Sequence, residues 1–243
     1  MAFHTPSSPS WWNDMDQSGK KEELVVHVFE SIQDRYDLLD SFISMGMDQR
    51  WRRILVSELG LKPGQTVLDC GAGTGKLTHG ILQACPTCST ISLDITQSMF
   101  RQSYLPDTRF ITASAENIPL DDCSVDAVAS AYLTRNLENL DRYFAEVRRV
   151  LKPGGIFANL DIYNPRMPGF SPLFGLYFYH IVPVFGNLVT KSTSYSYLAE
   201  SVRKFYSPDV VSQKIENAGL KVRKCKTMML GAIGMHVAVK AAK

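Results

Sequence analysis

Neither charge is in excess in this chain: 26 Lys and Arg stand against 24 Asp and Glu, a formal net charge of +2. With no basic stripe interleaved with aromatics, that balance gives no footing for nucleic-acid binding. The short clusters Arg50-Trp51-Arg52-Arg53 and Arg148-Arg149 read as solvated helix faces. Cysteine is scarce as well, with five in 243 residues. Cys85-Pro86-Thr87-Cys88 has no second pair to complete a zinc site and follows a helix end instead of opening one. Metal and redox roles are therefore set aside, and free thiols are expected. There is no unbroken apolar run of about 18 residues, so no membrane-spanning helix is expected. The polar, proline-bearing start does not read as a signal peptide, and a cytoplasmic location follows. Residues 1–19 are expected to be disordered. Residues 20–243 are expected to form one domain, since 45% hydrophobic content supports a substantial core.

The richest stretch is Val67-Leu68-Asp69-Cys70-Gly71-Ala72-Gly73-Thr74-Gly75, a strand that runs into a glycine loop. The amphipathic run Lys76–Ala84 behind it reads as a helix. Glycines at alternate positions permit a tight turn and leave room for a ligand, and the helix start offers unpaired N–H groups. Two common cofactor loops fail on spacing. A dinucleotide fingerprint started at Gly71 or Gly73 would need its last glycine where Lys76 or Thr78 stands, and a phosphate loop would need Ser or Thr at Leu77. The remaining pattern, Asp-x-Gly-x-Gly-x-Gly, is similar to the first motif of the class I S-adenosylmethionine-dependent methyltransferases.

A second strand, Thr90–Asp94, ends in a carboxylate about 20 residues further on, where an acid can accept both ribose hydroxyls of a nucleoside. A helix cap for the run Gln97–Tyr104 is the competing role for Asp94 and Thr96. Strands are expected near Thr66–Asp69, Thr90–Asp94, Arg109–Ala113, Asp126–Ala131 and Gly155–Ile162, alternating with helices. Leu220–Met228 and Met235–Lys240 should close the sheet as an antiparallel pair. The class is α/β, a Rossmann-like sheet of seven strands with helices on both faces. Ligands bind outside the carboxyl ends of such strands, which brings together Asp69, Gly71, Gly73, Thr74, Asp94, Ile95, Ser114, Ala115, Glu116 and Ser130 as candidate cofactor residues. From Lys20 to Leu59 the pattern is that of a helical N-terminal extension. Pro165–Lys191 holds six Phe and Tyr residues and no acid. It reads either as a buried helix or as an apolar, membrane-contacting lid, with the insertion set at 165–205.

Taken together, the chain resembles the ubiquinone/menaquinone C-methyltransferases, which methylate polyprenylated hydroquinone rings. The resemblance runs from about Val28 to Lys240. It is carried by Phe29-Glu30-Ser31-Ile32, Arg35-Tyr36-Asp37-Leu38-Leu39-Asp40, the glycine loop, Ala115-Glu116-Asn117-Ile118-Pro119-Leu120, Leu133-Thr134-Arg135-Asn136, the Leu151-Lys152-Pro153-Gly154-Gly155 turn and Ser194–Ser201. Lys76 stands where relatives usually carry an acidic or small residue, and Ala72 where they carry glycine. The resemblance implies S-adenosylmethionine as cofactor, no metal, and demethylmenaquinol as first-choice acceptor, with another lipophilic ring or a non-catalytic quinone-binding role as alternatives. It also implies peripheral contact with the inner face of a membrane and leaves a homodimer open. A hydroquinone ring carbon attacks a sulfonium methyl only as its hydroxyl loses a proton. Arg135 is therefore the expected fixed cation, with Asn136 and Tyr36 orienting the hydroxyl. His236 and His180 are weaker base candidates, each better read as a packed histidine.

Overall fold

The computed structural model describes residues 20–33, 36–100, 105, 108–190 and 194–242. The expected disorder of 1–19 and the second half of the expected helix Gln97–Tyr104 lie outside them, and of its first half only a 3₁₀ turn at Gln97–Met99 forms. Three helices come first, α1 (Lys20–Ile32), α2 (Tyr36–Ile43) and α3 (Asp48–Glu58). There follow β1 (Thr66–Cys70), α4 (Lys76–Ala84), β2 (Ser89–Asp94), β3 (Arg109–Thr112), β4 (Val125–Ala131), α5 (Leu140–Val150) and β5 (Leu151–Ile162). The helices α6 (Phe170–Leu176), α7 (Val182–Thr190), α8 (Ser194–Lys204) and α9 (Pro208–Asn217) precede β6 (Leu220–Met228) and β7 (Ile233–Lys240).

The seven strands are ordered β3-β2-β1-β4-β5-β7-β6. β1 to β5 run parallel, and β7 is antiparallel to both β5 and β6. Strand order reverses at β1, between β2 and β4, which opens a crevice at their carboxyl ends. Alternate residues of β1 serve opposite faces. Val67 packs with Trp51, Leu55, Leu77 and Ile81 from α3 and α4, and Leu68 with Tyr143, Phe144, Val147, Val211 and Ile215 from α5 and α9. Both faces of the sheet's centre are therefore covered.

Four expectations need correction. β5 begins at Leu151, not Gly155: Lys152–Gly155 is a bulge, with Leu151 pairing Val125 and Ile156 pairing Ala127. Cys85 and Cys88 form a disulfide and are not free thiols, since the turn closing α4 brings their Cα atoms to 5.5 Å. The insertion is neither a plainly buried helix nor an all-apolar lid. Phe174, Phe178 and Val182 are buried, whereas Leu173, Leu176, Ile181, Val184, Phe185 and Leu188 face outward. Finally, a helix long and apolar enough to cross a membrane does occur, Phe170–Val189, with 22% of it buried. Its polar and proline positions hid it: a π turn at Tyr177–Ile181 carries the helix into Pro183, whose ring cannot join a regular hydrogen-bond ladder.

Candidate active site

The glycine loop closes as its residues require. Gly71 (φ 70°) and Gly75 (φ 87°) both adopt left-handed backbone. A Cβ at Gly71 would lie 2.8 Å from the Leu133 side chain, and one at Gly75 would lie 2.4 Å from Leu105. The loop reaches across to the β2 tip, where Asp94 accepts the Gly73 amide through Oδ2 and the Thr96 amide through Oδ1, each at 2.8 Å. Asp94 therefore braces loop and turn while its remaining lone pairs face the cleft. Burial pushes its carboxyl above the usual range against those two bonds and that of Ile95.

The cleft, open to solvent on one side, spans about 460 Å³ and is lined by Glu22, Val25, Gly71, Asp94, Ser114 and Glu116 with apolar walls from Leu93, Leu133 and Leu137. Ile95 and Ala115 also line it. Asp69 lies beneath, fully buried, its Oδ2 accepting from the Thr78 hydroxyl at 2.6 Å. Its Oδ1 has no hydrogen-bond partner among the described residues. Desolvation raises the Asp69 carboxyl to about 7, opposed by the Thr78 hydrogen bond. A buried acid with an idle oxygen, under a loop no side chain can fill, fits the cationic methionyl end of an S-adenosyl cofactor. Thr74, also buried, donates to Asp37 of α2 at 2.9 Å.

A second pocket, spanning about 540 Å³ and open to solvent, adjoins the first. Val28, Phe29, Ile32, Ile43, Ile162 and Leu198 make it apolar, and Arg135, Asn136, Tyr132 and Tyr197 give it a polar end. Asn136 lines both spaces, so they meet at that residue. The polar end is a hydrogen-bonded network centred on Asp161 and the Tyr132 carbonyl. Asp161 accepts the Thr134 hydroxyl at 2.6 Å, the Arg135 amide at 3.1 Å and Arg135 Nη1 at 2.7 Å. Arg135 Nη1 also donates to the Tyr132 carbonyl at 2.8 Å. Asn136 donates through Nδ2 to that same carbonyl at 3.2 Å and accepts the Tyr197 hydroxyl through Oδ1 at 3.3 Å. Tyr132 holds a left-handed backbone (φ 66°), with the Arg52 guanidinium 4.9 Å from its ring centre. Such strain outside glycine concentrates at functional sites.

Arg135 and Asn136 thus stand together at the junction. Arg135 is held there in an ion pair with Asp161, and the cap of α5 is Asn139, which accepts the Arg142 amide, not Asn136. Tyr36 opens α2, and its side chain lies outside the described residues. Ser130 lines neither space; it is fully buried and donates to Asn159 at 2.9 Å. Glu116 is held by the Glu138 and Asn139 amides at 2.7 and 3.0 Å. His236 lies buried against the Pro208 carbonyl at 3.0 Å, and His180 is exposed on the π turn, so neither borders the junction. Residue patterns alone missed Asp161, Tyr132, Tyr197, Glu22 and Asp40, which lines the pocket and pairs with Arg52 and Lys76 at 3.2 and 3.3 Å. Two quoted segments held two of them without marking them out, Arg35–Asp40 for Asp40 and Ser194–Ser201 for Tyr197.

Residues 17–240 match the model of the ubiE/COQ5 methyltransferase family. The chain belongs to that family. Among its relatives, the ubiquinone/menaquinone biosynthesis C-methyltransferase UbiE of Hahella chejuensis is 34% identical over 91% of this chain and 93% of its own. The UbiE of Shewanella pealeana is 31% identical over 92% and 93%. Among solved structures, a SAM-dependent methyltransferase from Aquifex aeolicus superposes with a TM-score of 0.57 at 21% identity, covering 77% of this chain and 88% of that one. The chain is an S-adenosylmethionine-dependent C-methyltransferase of the UbiE type.

Proposed function

We propose that the enzyme transfers a methyl group to a ring carbon of a polyprenylated hydroquinone, demethylmenaquinol in the reading we favour. The observation that carries this is the shared wall at Asn136 between a cofactor cleft and an apolar pocket. When bound, S-adenosylmethionine supplies an electrophilic methyl group on a positively charged sulfur.

The protein's part is to hold a ring carbon in line with that methyl and to manage protons. Arg135, kept rigid by Asp161, and Asn136 are assigned to the ring hydroxyl. Asp40 is assigned to take its proton. Only Asp40 Oδ2 contacts Arg52 and Lys76, and the ring hydroxyl becomes strongly acidic as the new C–C bond forms, so a weak base suffices. After Asp40 has taken the hydroxyl proton and the C–C bond has formed, the methylated ring carbon gives up its H⁺ while a proton returns from Asp40 to the ring oxygen, so aromaticity is restored with one H⁺ released overall. The prenyl tail follows the apolar wall, where Ile43 and Leu198 pack against Tyr177. The outward face of Phe170–Val189 rests on the membrane that stores such lipids.

The test is methyl-labelled transfer to reduced naphthoquinol, benzoquinol and tocopherol-type acceptors, read by mass spectrometry. Naphthoquinol should gain one methyl. Methylation of benzoquinol alone would move the ring assignment, and transfer to none would refute the reading. Asp40→Asn should cut turnover with cofactor affinity kept; unchanged turnover would clear Asp40 of the proton role.

A further inference from the structure

Helix α1 runs along both binding spaces. Glu22 and Val25 line the cofactor cleft, while Val28, Phe29 and Ile32 line the acceptor pocket. It is fastened by polar contacts at its amino-terminal end and by apolar packing along its length. Lys21 Nζ donates to the carbonyls of Leu137 at 2.5 Å and Arg135 at 3.4 Å. Val25 and Val28 pack with Tyr197. Between these, Glu22 Oε1 accepts the Ser114 hydroxyl at 2.5 Å, and its Oε2 has no hydrogen-bond partner among the described residues.

The other two acids of the cleft are committed elsewhere. Asp94 sits at the β2 tip beside the glycine loop, the ribose position, and Glu116 is tied to the start of α5. The base end of the cleft, beside Ser114 and Ala115, is therefore faced by Glu22. An ionised carboxylate can only accept hydrogen bonds, and the edge of adenine that offers donors is its exocyclic amino group.

We propose that Glu22 accepts the hydrogen bond of the cofactor's adenine amino group, and that α1 is the lid carrying it onto the cleft while completing the wall of the acceptor pocket. This rests on the S-adenosyl cofactor and not on the identity of the ring acceptor. Lys21 latches the lid to the segment that bears Arg135 and Asn136, so a seated cofactor favours a formed acceptor pocket. Cofactor binds first, acceptor second.

Calorimetry on the full chain, without acceptor, compares S-adenosylhomocysteine with S-inosylhomocysteine, in which an oxygen replaces the amino group. The wild type should prefer the adenosyl ligand by about tenfold or more, the range of one hydrogen bond to a charged group. Glu22→Gln should bring the two ligands within about twofold, because a carboxamide can face either group. Lys21→Met should keep the preference but release the adenosyl ligand several-fold faster. An equal preference in wild type and Glu22→Gln would overturn the assignment. Should Glu22→Gln fail to fold, amide exchange of the wild type decides. Residues 20–32 should be protected by the adenosyl ligand and much less by the inosyl one, and equal protection overturns the proposal. Binding of neither ligand would instead refute the cofactor itself.

Discussion

Asp69 is a buried acid whose protonation bears on stability, and on cofactor binding if it faces the cofactor's positive charge as proposed. In the folded protein its carboxyl titrates near 7 instead of 3.8, because burial disfavours the anion. A raised folded-state pKa means a contribution to stability that is whole below about pH 4 and is lost as pH rises through about 7. The cofactor-free enzyme should therefore melt at a lower temperature at pH 8 than at pH 5.5, and Asp69→Asn should flatten that slope. A cationic ligand favours the anion, so binding near pH 7 should release a proton, visible as a calorimetric heat that changes with the buffer's ionisation enthalpy. A melting temperature equally pH-dependent in Asp69→Asn would remove Asp69 from this role. Arg135 and Asp161 pose a different problem, since both are buried and each needs the other. Arg135→Leu should destabilise the fold by about 3–5 kcal/mol by leaving Asp161 unpaired. Removing both charges in Arg135→Leu/Asp161→Leu should recover part of that loss but not activity. Denaturant melts of the three variants check this; a double variant no more stable than Arg135→Leu would contradict the pairing argument.

At the scale of elements, the continuous helix from α6 to α7 has two apolar faces with two jobs. Phe174 and Phe178 stack at 5.0 Å inside a cluster with Val202 and Ala232, so replacing both with Ser should unfold this region. Leu176, Val184 and Leu188 project outward at 56–75% exposure, so replacing them with Ser should leave the melting curve within about 0.5 kcal/mol. The same outward variant should bind lipid vesicles less well, read by sedimentation with anionic vesicles. Undiminished vesicle binding by a folded outward variant would take this face out of membrane contact. These two faces could not be read from the sequence, because an apolar run that is hydrophobic all round carries no periodic signal of which side the core takes. The strands and the glycine loop were legible for the opposite reason. Val67 to Gly75 and Thr90 to Asp94 carry their geometry in local spacing. Asp161 and Glu22 find their partners 26 and 92 residues away, at Arg135 and Ser114, and only the folded sheet brings them in. The Cys85–Cys88 pair was legible as spacing, but its state was judged from an assumed compartment, which spacing cannot reveal.

The whole molecule arranges two chemically unlike spaces around one carboxamide. The sheet reversal at β1 supplies the polar cofactor cleft, and α1, α2 and α8 add the apolar pocket beside it. Acids gather on the cleft side: Asp94 on the Gly73 amide, Asp69 beneath on the Thr78 hydroxyl, and Asp37 on the Thr74 hydroxyl. On the acceptor side, the Arg135–Asp161 pair is neutral overall and presents a donor without a free charge. A neutral site of this kind suits an acceptor that arrives uncharged and turns acidic only as it reacts. It also gives no help to an oxidised ring, whose carbons are electron-poor and cannot attack a sulfonium methyl. Transfer should therefore proceed with the reduced hydroquinone and stop when the same ring is held oxidised, with cofactor affinity identical in both conditions. Labelled-methyl incorporation under dithionite and under air, with binding measured alongside, separates the cases. Equal incorporation into the oxidised ring would overturn the nucleophilic-ring mechanism, while a parallel fall in cofactor affinity would trace the difference to binding.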